Sequence, residues 1–166
     1  MNSPDHAPRA RPTWAKVLLA AVVIGVLAVG VIFIRSRRLP PLIREQYDSQ
    51  KAKWDEAEIS NYDVSVTVQG MQPGVYEVQV QNGIAVAAKF DGRELTRPRT
   101  FGTWAVTGMF HTLATDLETN DKHGYLKLGV EFHPEYGIPM KYQRIEMRTG
   151  AHDALQWEVT RFEPRR

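Results

Sequence analysis

Three hydrophobic periodicities follow one another along the chain. From Val17 to Ile34, eighteen consecutive residues (VLLAAVVIGVLAVGVIFI) carry neither charge nor a side-chain hydrogen-bonding group. A helix rising about 1.5 Å per residue covers roughly 27 Å over that length, close to the thickness of a bilayer's hydrocarbon core. The run therefore predicts a transmembrane helix over residues 14–35, with Trp14 at the interface. A cleaved signal peptide would have a shorter apolar stretch and a small-residue cleavage site, whereas this run ends in Ile32-Phe33-Ile34-Arg35. A buried helix of a soluble domain would show a polar face. An uncleaved single-pass anchor is the reading that fits, and it makes the lipid bilayer a partner through Val17 to Ile34.

Residues 1–13, with Pro4, Pro8 and Pro12, read as a disordered tail, and residues 36–41, ending in Pro40-Pro41, as a linker that breaks any continuous helix. Ile43, Tyr47, Trp54 and Ala57 then recur at helical spacing and predict an amphipathic helix from about Leu42 to Glu58. At Tyr62 the period changes to two. Tyr62, Val64, Val66 and Val68 alternate with polar residues, and Tyr76, Val78 and Val80 repeat the pattern after a turn at Gly70–Gly74. Asn82-Gly83 suits the positive φ angles of a tight hairpin, and Ile84, Val86, Ala88 and Phe90 return on a third strand closed by Asp91-Gly92.

Arg93 to Gly102 reads as a loop. A helix follows, with Thr103 or Thr107 as its cap and Val106, Phe110, Leu113 and Leu117 as its buried stripe; Gly108 weakens its first turn. Leu126, Leu128, Val130 and Phe132 alternate up to a turn over His133–Pro139. A fifth strand spans about Met140 to Arg148 and a sixth runs from Leu155 to Phe162. The order is helix, three strands, helix, three strands. It predicts one α+β domain over residues 42–164, with an antiparallel sheet covered on one face by helices.

Charge changes meaning once it is divided. The chain carries a formal +2, yet six basic residues against one acidic leave the first 39 residues at +5, and 15 basic against 18 acidic put the rest at −3. The positive charge flanks the apolar run and meets anionic headgroups; the mildly acidic domain lacks the basic footprint of a nucleic-acid binder. Arginines on both flanks nearly balance the positive-inside count. The short amino-terminal tail resembles a signal anchor that exports the domain, while Arg35, Arg37 and Arg38 argue the opposite way; an extracytoplasmic domain is the orientation expected. Ala21 and Gly25 form one small-residue pair of the kind that lets two helices approach closely.

No catalytic, cofactor or metal site emerges. With no cysteine, disulfides, thiolate metal sites and cysteine nucleophiles are excluded. The histidines His6, His111, His123, His133 and His152 fall in no ligand motif, and His133 beside Glu131 reads as a surface polar pair. The carboxylates Asp63, Asp91, Glu131 and Asp153 sit on outward strand positions or turns, and no phosphate loop, nucleophile elbow or dinucleotide fingerprint is present. Trp54, Trp104, Trp157, Tyr62, Tyr76 and Tyr142 either fill the sheet–helix core or line a cavity for a small apolar ligand. Arg93, Arg97 and Arg99 read as a solvated loop, with binding of an anionic group as the alternative.

Several segments taken in order resemble the family catalogued as domain of unknown function 6174. They are Trp54 with Ile59–Asp63, Tyr76–Gly83, Val106–Phe110, Val130–Pro139 and Asp153 through Pro164. The resemblance implies a small α+β domain, often exported or membrane-tethered, and supplies no catalytic residue. Members of the family often carry cysteines after the first strand, where this chain has Gly70–Gly74, and a Tyr-Asp pair before the Gly-x-Pro turn, where it has Phe132-His133. No function that needs those groups carries over.

These readings converge on a membrane-anchored, non-enzymatic binding or accessory module at the cell envelope, taking a protein partner or a small apolar ligand. Two alternatives stay open: a small-pocket enzyme or ligand carrier on a cone-like α+β fold, and an envelope assembly subunit. Protease treatment of intact and lysed cells tests the orientation. An exported domain is cleaved in intact cells, and one facing the cytoplasm only after lysis.

Overall fold

A computed structural model of the chain describes residues 39–70, 72–97, 100–148 and 154–165. The tail at 1–13, the apolar run and residues 36–38 lie outside them, as do Arg99, His152 and Asp153. Among the described residues no helix is long and apolar enough to cross a membrane.

Helix α1 (Arg44–Glu56) precedes strands β1 (Tyr62–Gln69), β2 (Gly74–Gln81), β3 (Ile84–Phe90) and the two-residue β4 (Arg93–Glu94). A 3-10 turn at Gly102–Trp104 leads into α2 (Val106–His123), followed by β5 (Leu126–Phe132), β6 (Pro139–Glu146) and β7 (Leu155–Pro164). The strands form one antiparallel sheet in the order β4-β3-β2-β1-β7-β6-β5. The α+β class and the antiparallel sheet are as the periodicity predicts; β4 is a seventh strand inside the segment expected to be loop.

The alternation of β1 is strict. Tyr62, Val64, Val66 and Val68 are all buried, while the residues between them stay partly accessible. Across the sheet Val80, Val130, Tyr142 and Trp157 join them, and Val106, Met109, Phe110 and Leu113 of α2 close the layer above. Each such side chain removed from water contributes about 1.5–3 kcal/mol. Helix α1 adds less: Trp54 alone is buried along its length, and Tyr47 meets Phe110 edge to face at 5.9 Å. Ile43, expected on its apolar stripe, precedes the first turn and is 52% exposed, with Leu42 buried in its place.

Three further expectations are corrected. In β3, Ile84 (67% exposed) and Val86 (44%) point away from the core. The register with β2 shifts between Gln79 and Val80, so Val80 faces Ala85 while Val78 faces Ala88. One extra residue in a strand reverses its alternation, which reading by two cannot detect. The linker is not wholly a linker: Val130 N–H donates to the Pro40 carbonyl at 2.9 Å and Leu42 N–H to the Leu128 carbonyl at 3.1 Å. Leu39–Leu42 thereby covers the β5 edge, and a methyl group at Gly129 would sit 2.9 Å from Leu39 Cβ.

Neither Thr103 nor Thr107 caps α2. Its N-cap is Ala105, which makes no side-chain cap, and the Val106 N–H donates to the Tyr62 hydroxyl at 3.0 Å. A side chain from the central strand thus satisfies a helix-end donor that would otherwise be buried unpaired. Gly108 has a positive reason to be there: a Cβ would lie 2.0 Å from the Gly102 carbonyl oxygen, so the 3-10 turn crosses the helix at a bare backbone. At the other end Gly124 adopts φ 67° and donates to the Asn120 carbonyl, as an αL terminus requires.

Burial pushes the Tyr62 phenol from 10.0 up to about 12, and its hydrogen bond from Val106 opposes the rise. The folded chain holds this proton to higher pH than the unfolded chain does. The stability involved is complete below about pH 10 and is lost as the pH climbs through about 12. The unfolding free energy from urea titrations should be lower at pH 11 than at pH 9 by roughly 1.4 kcal/mol for this group, nearly all of it lost above pH 10. Tyr62→Phe is expected to make that limb shallower, the other buried tyrosines keeping their share, and to cost about 1 kcal/mol at neutral pH through the lost cap.

Candidate functional site

Where β2, β3 and the segment leading to α2 meet, the core does not close. A half-open cavity of about 480 Å³ is lined by Gln72, Tyr76, Phe90, Leu95, Thr100, Thr103 and Trp104. Tyr76 and Phe90 stand opposite each other in the β2–β3 register, on the inward face of the sheet. Their rings lie 4.7 Å apart at 42°, and Tyr76 to Trp104 measures 5.2 Å at 32°. The three rings form the floor, with Tyr76 the buried middle ring and Phe90 and Trp104 half-buried on either side of it. Leu95 is held over it by its N–H bond to the Ala88 carbonyl at 2.9 Å.

This floor is rigidly backed. Trp104 meets the edge of Trp157 at 5.6 Å and 80°, and Trp157 packs on Tyr142 at 4.4 Å. Gly74 supplies the room for Phe90, since a Cβ there would fall 2.3 Å from the ring. The Asp91 carboxylate accepts from Val75 N–H at 2.8 Å, locking the β3–β4 turn beside the pocket. Partial burial, with the Asp91 charge assisting, raises the Tyr76 phenol above its ordinary value, and the neighbouring Trp104 indole opposes the rise.

The aromatic set of the sequence therefore divides. Trp54, Tyr62, Tyr142 and Trp157 fill the core, Tyr76 is buried with them and borders the cavity, and the half-buried Trp104 lines it. Phe90, Leu95, Gln72, Thr100 and Thr103 complete it, and periodicity had marked only Phe90, as a core position. The others sit on turns, where no period operates.

A second polar feature was not anticipated. Asp116 lies on α2 between Leu113 and Leu117 and is 4% exposed. It accepts from the Tyr142 hydroxyl at 2.6 Å and from Arg144 at 3.0 Å. Burial and the adjacent carboxylate together push the Tyr142 phenol far up, so it stays a neutral donor. A lone acid at the spacing of an apolar stripe was the available signal. The cluster fastens α2 to β6.

His133 and Glu131 do not form a site. His133 Nδ1 accepts from the Glu135 and Tyr136 N–H groups at 3.2 and 3.3 Å and its ring stacks on Tyr136, while Glu131 faces Lys141 at 3.9 Å. On the open face of the sheet a smaller cleft of about 200 Å³ holds Asp63, Glu77, Lys89, Arg161 and Arg165. Arg165 pairs there with Asp63, and Arg161 grips Glu163 at 2.7 and 2.6 Å. Arg93 and Arg97 are exposed. Among the described residues no three His, Cys, Asp or Glu side chains gather as a metal site would need.

The domain so defined is an α+β unit with helices on one face of an antiparallel sheet and an aromatic cavity at one corner. The chain belongs to the family of unknown function DUF6174, which it matches over residues 46–164. Neither curated proteins nor solved structures yield a match.

Removing the α2–β6 fastening should show in stability. Asp116→Ala leaves the Tyr142 hydroxyl and Arg144 without their acceptor and is expected to cost roughly 2–4 kcal/mol in chemical denaturation. Asp116→Asn, which keeps an acceptor for Tyr142, should lose less.

Proposed function

We propose that this chain is a membrane-anchored binding domain that holds a small ligand in the cavity formed by Tyr76, Phe90, Leu95 and Trp104. The observation that carries the reading is the pocket itself. Three aromatic rings and a leucine form an apolar surface, and Gln72, Thr100 and Thr103 supply a few polar groups. A concave, largely apolar site with sparse polar groups is the usual form of a small-molecule site, and about 480 Å³ lies within the customary range. Trp104 is fixed from behind by Trp157, so the surface needs little ordering on binding.

Holding suits the lining better than transforming does. Acid–base catalysis needs a titratable group near the working pH. Among the described lining residues only Tyr76 titrates, and its shift is upward, away from neutrality. The apolar run Val17–Ile34 supports anchoring to a bilayer.

The chain contains four tryptophans, so 5-fluorotryptophan labelling resolves Trp104 by fluorine NMR once Trp104→Phe assigns it. With the full chain in lipid nanodiscs and a library of small neutral fragments, saturable movement of the Trp104 resonance is expected, with Trp14 unmoved. A library that leaves Trp104 in place would sink the reading.

A further inference from the structure

We propose that the ligand of the aromatic cavity is a neutral saccharide, with a pyranose ring laid on Trp104 beside the edge of Tyr76; this rests on the binding role argued above. Charge is the first constraint. The described lining residues are all uncharged and offer a ligand hydrogen bonds and apolar contact in place of ion pairs. The Asp91 carboxylate acts on Tyr76, and its field there opposes a second anion.

Polarity is the second. A plain hydrocarbon would satisfy the rings and Leu95 but strip water from Gln72, Thr100 and Thr103 without replacing its hydrogen bonds. The Thr100 hydroxyl already donates to the Arg97 carbonyl at 2.8 Å, which leaves its lone pairs facing donors on a ligand. Gln72 and Thr103 can each donate and accept. The matching molecule has an apolar face bordered by groups that do both. A pyranose ring has that form, with C–H bonds on its faces and hydroxyls around its rim.

Access is the third. Tyr76 is 9% exposed and packed against Phe90 and Trp104, so the half-buried Trp104, fixed from behind by Trp157, offers the face on which a pyranose ring stacks.

The test uses the labelled full chain in nanodiscs, free of glycosidic detergent, titrated with maltose, cellobiose and the disaccharide of N-acetylglucosamine. Indole and a polyproline peptide serve as competing probes. At least one saccharide is expected to move the Trp104 resonance saturably, with little dependence on salt. Trp104→Ala, followed by saturation transfer to the saccharide protons because the variant lacks the reporter, should weaken that binding by at least about tenfold. Thr103→Val, at an exposed position, should weaken it several-fold with the fold intact by circular dichroism. If fragments, indole or the peptide move Trp104 and no saccharide does, the saccharide assignment is wrong and the binding role stands. If nothing moves Trp104, both are wrong. Saccharide binding that survives both substitutions unchanged would place the site elsewhere and overturn the proposal.

Discussion

The antiparallel contact between β1 and β7 is the constraint on which the other elements depend. It joins Tyr62 to Pro164 and Gln69 to Gln156, segments almost a hundred residues apart, and lies at the centre of the sheet. Closing so long a loop is entropically costly, and only burial of a continuous apolar face offsets it. Val64, Val66, Trp157 and Val159 meet across this pairing and are all buried. Without it the chain would hold two separate meanders, each too small to cover its own inner face.

That pairing also arranges the aromatic side chains. Trp157 on β7 lies beside Tyr142 of β6 and supports Trp104 ahead of α2, while Tyr62 on β1 reaches up to the first N–H of that helix. Trp104 in turn meets Tyr76, which meets Phe90. One line of ring contacts therefore runs from the buried Asp116–Tyr142 pair to the mouth of the cavity. The floor of the cavity is continuous with that core. This is how a fold with few surface signals can still present a preorganised apolar site.

The two halves share an order of elements without sharing an arrangement. In the first, the meander starts at the centre of the sheet with β1 and moves outward; in the second, it starts at the edge with β5 and moves inward to β7. A two-fold repeat would have placed β1 and β5 alike. The chain also treats its two edges differently. Leu39–Leu42 covers β5, whereas on β3 only the end, at Lys89 and Phe90, is paired to β4.

Local chemistry made much of this legible. The alternation from Tyr62 to Val68, the positive φ of Asn82 and Gly83, the stripe of α2 and the residues of the family resemblance all depend on neighbours within a few positions. So did the apolar run Val17–Ile34, whose lack of any polar group is a property of composition. Bulges, caps and cavities are different, because each is defined by a distant partner. The extra residue in β3 is visible only against β2; Gly108 is explained only by the Gly102 carbonyl; the cap of α2 is a phenol 44 residues away. The sequence by itself determined the class of the domain and the faces of most of its elements, since both follow from short-range periodicity. Only the tertiary structure decided which aromatics lie wholly within the core and which border the cavity, because that depends on where the sheet, the helix and the 3-10 turn fail to meet.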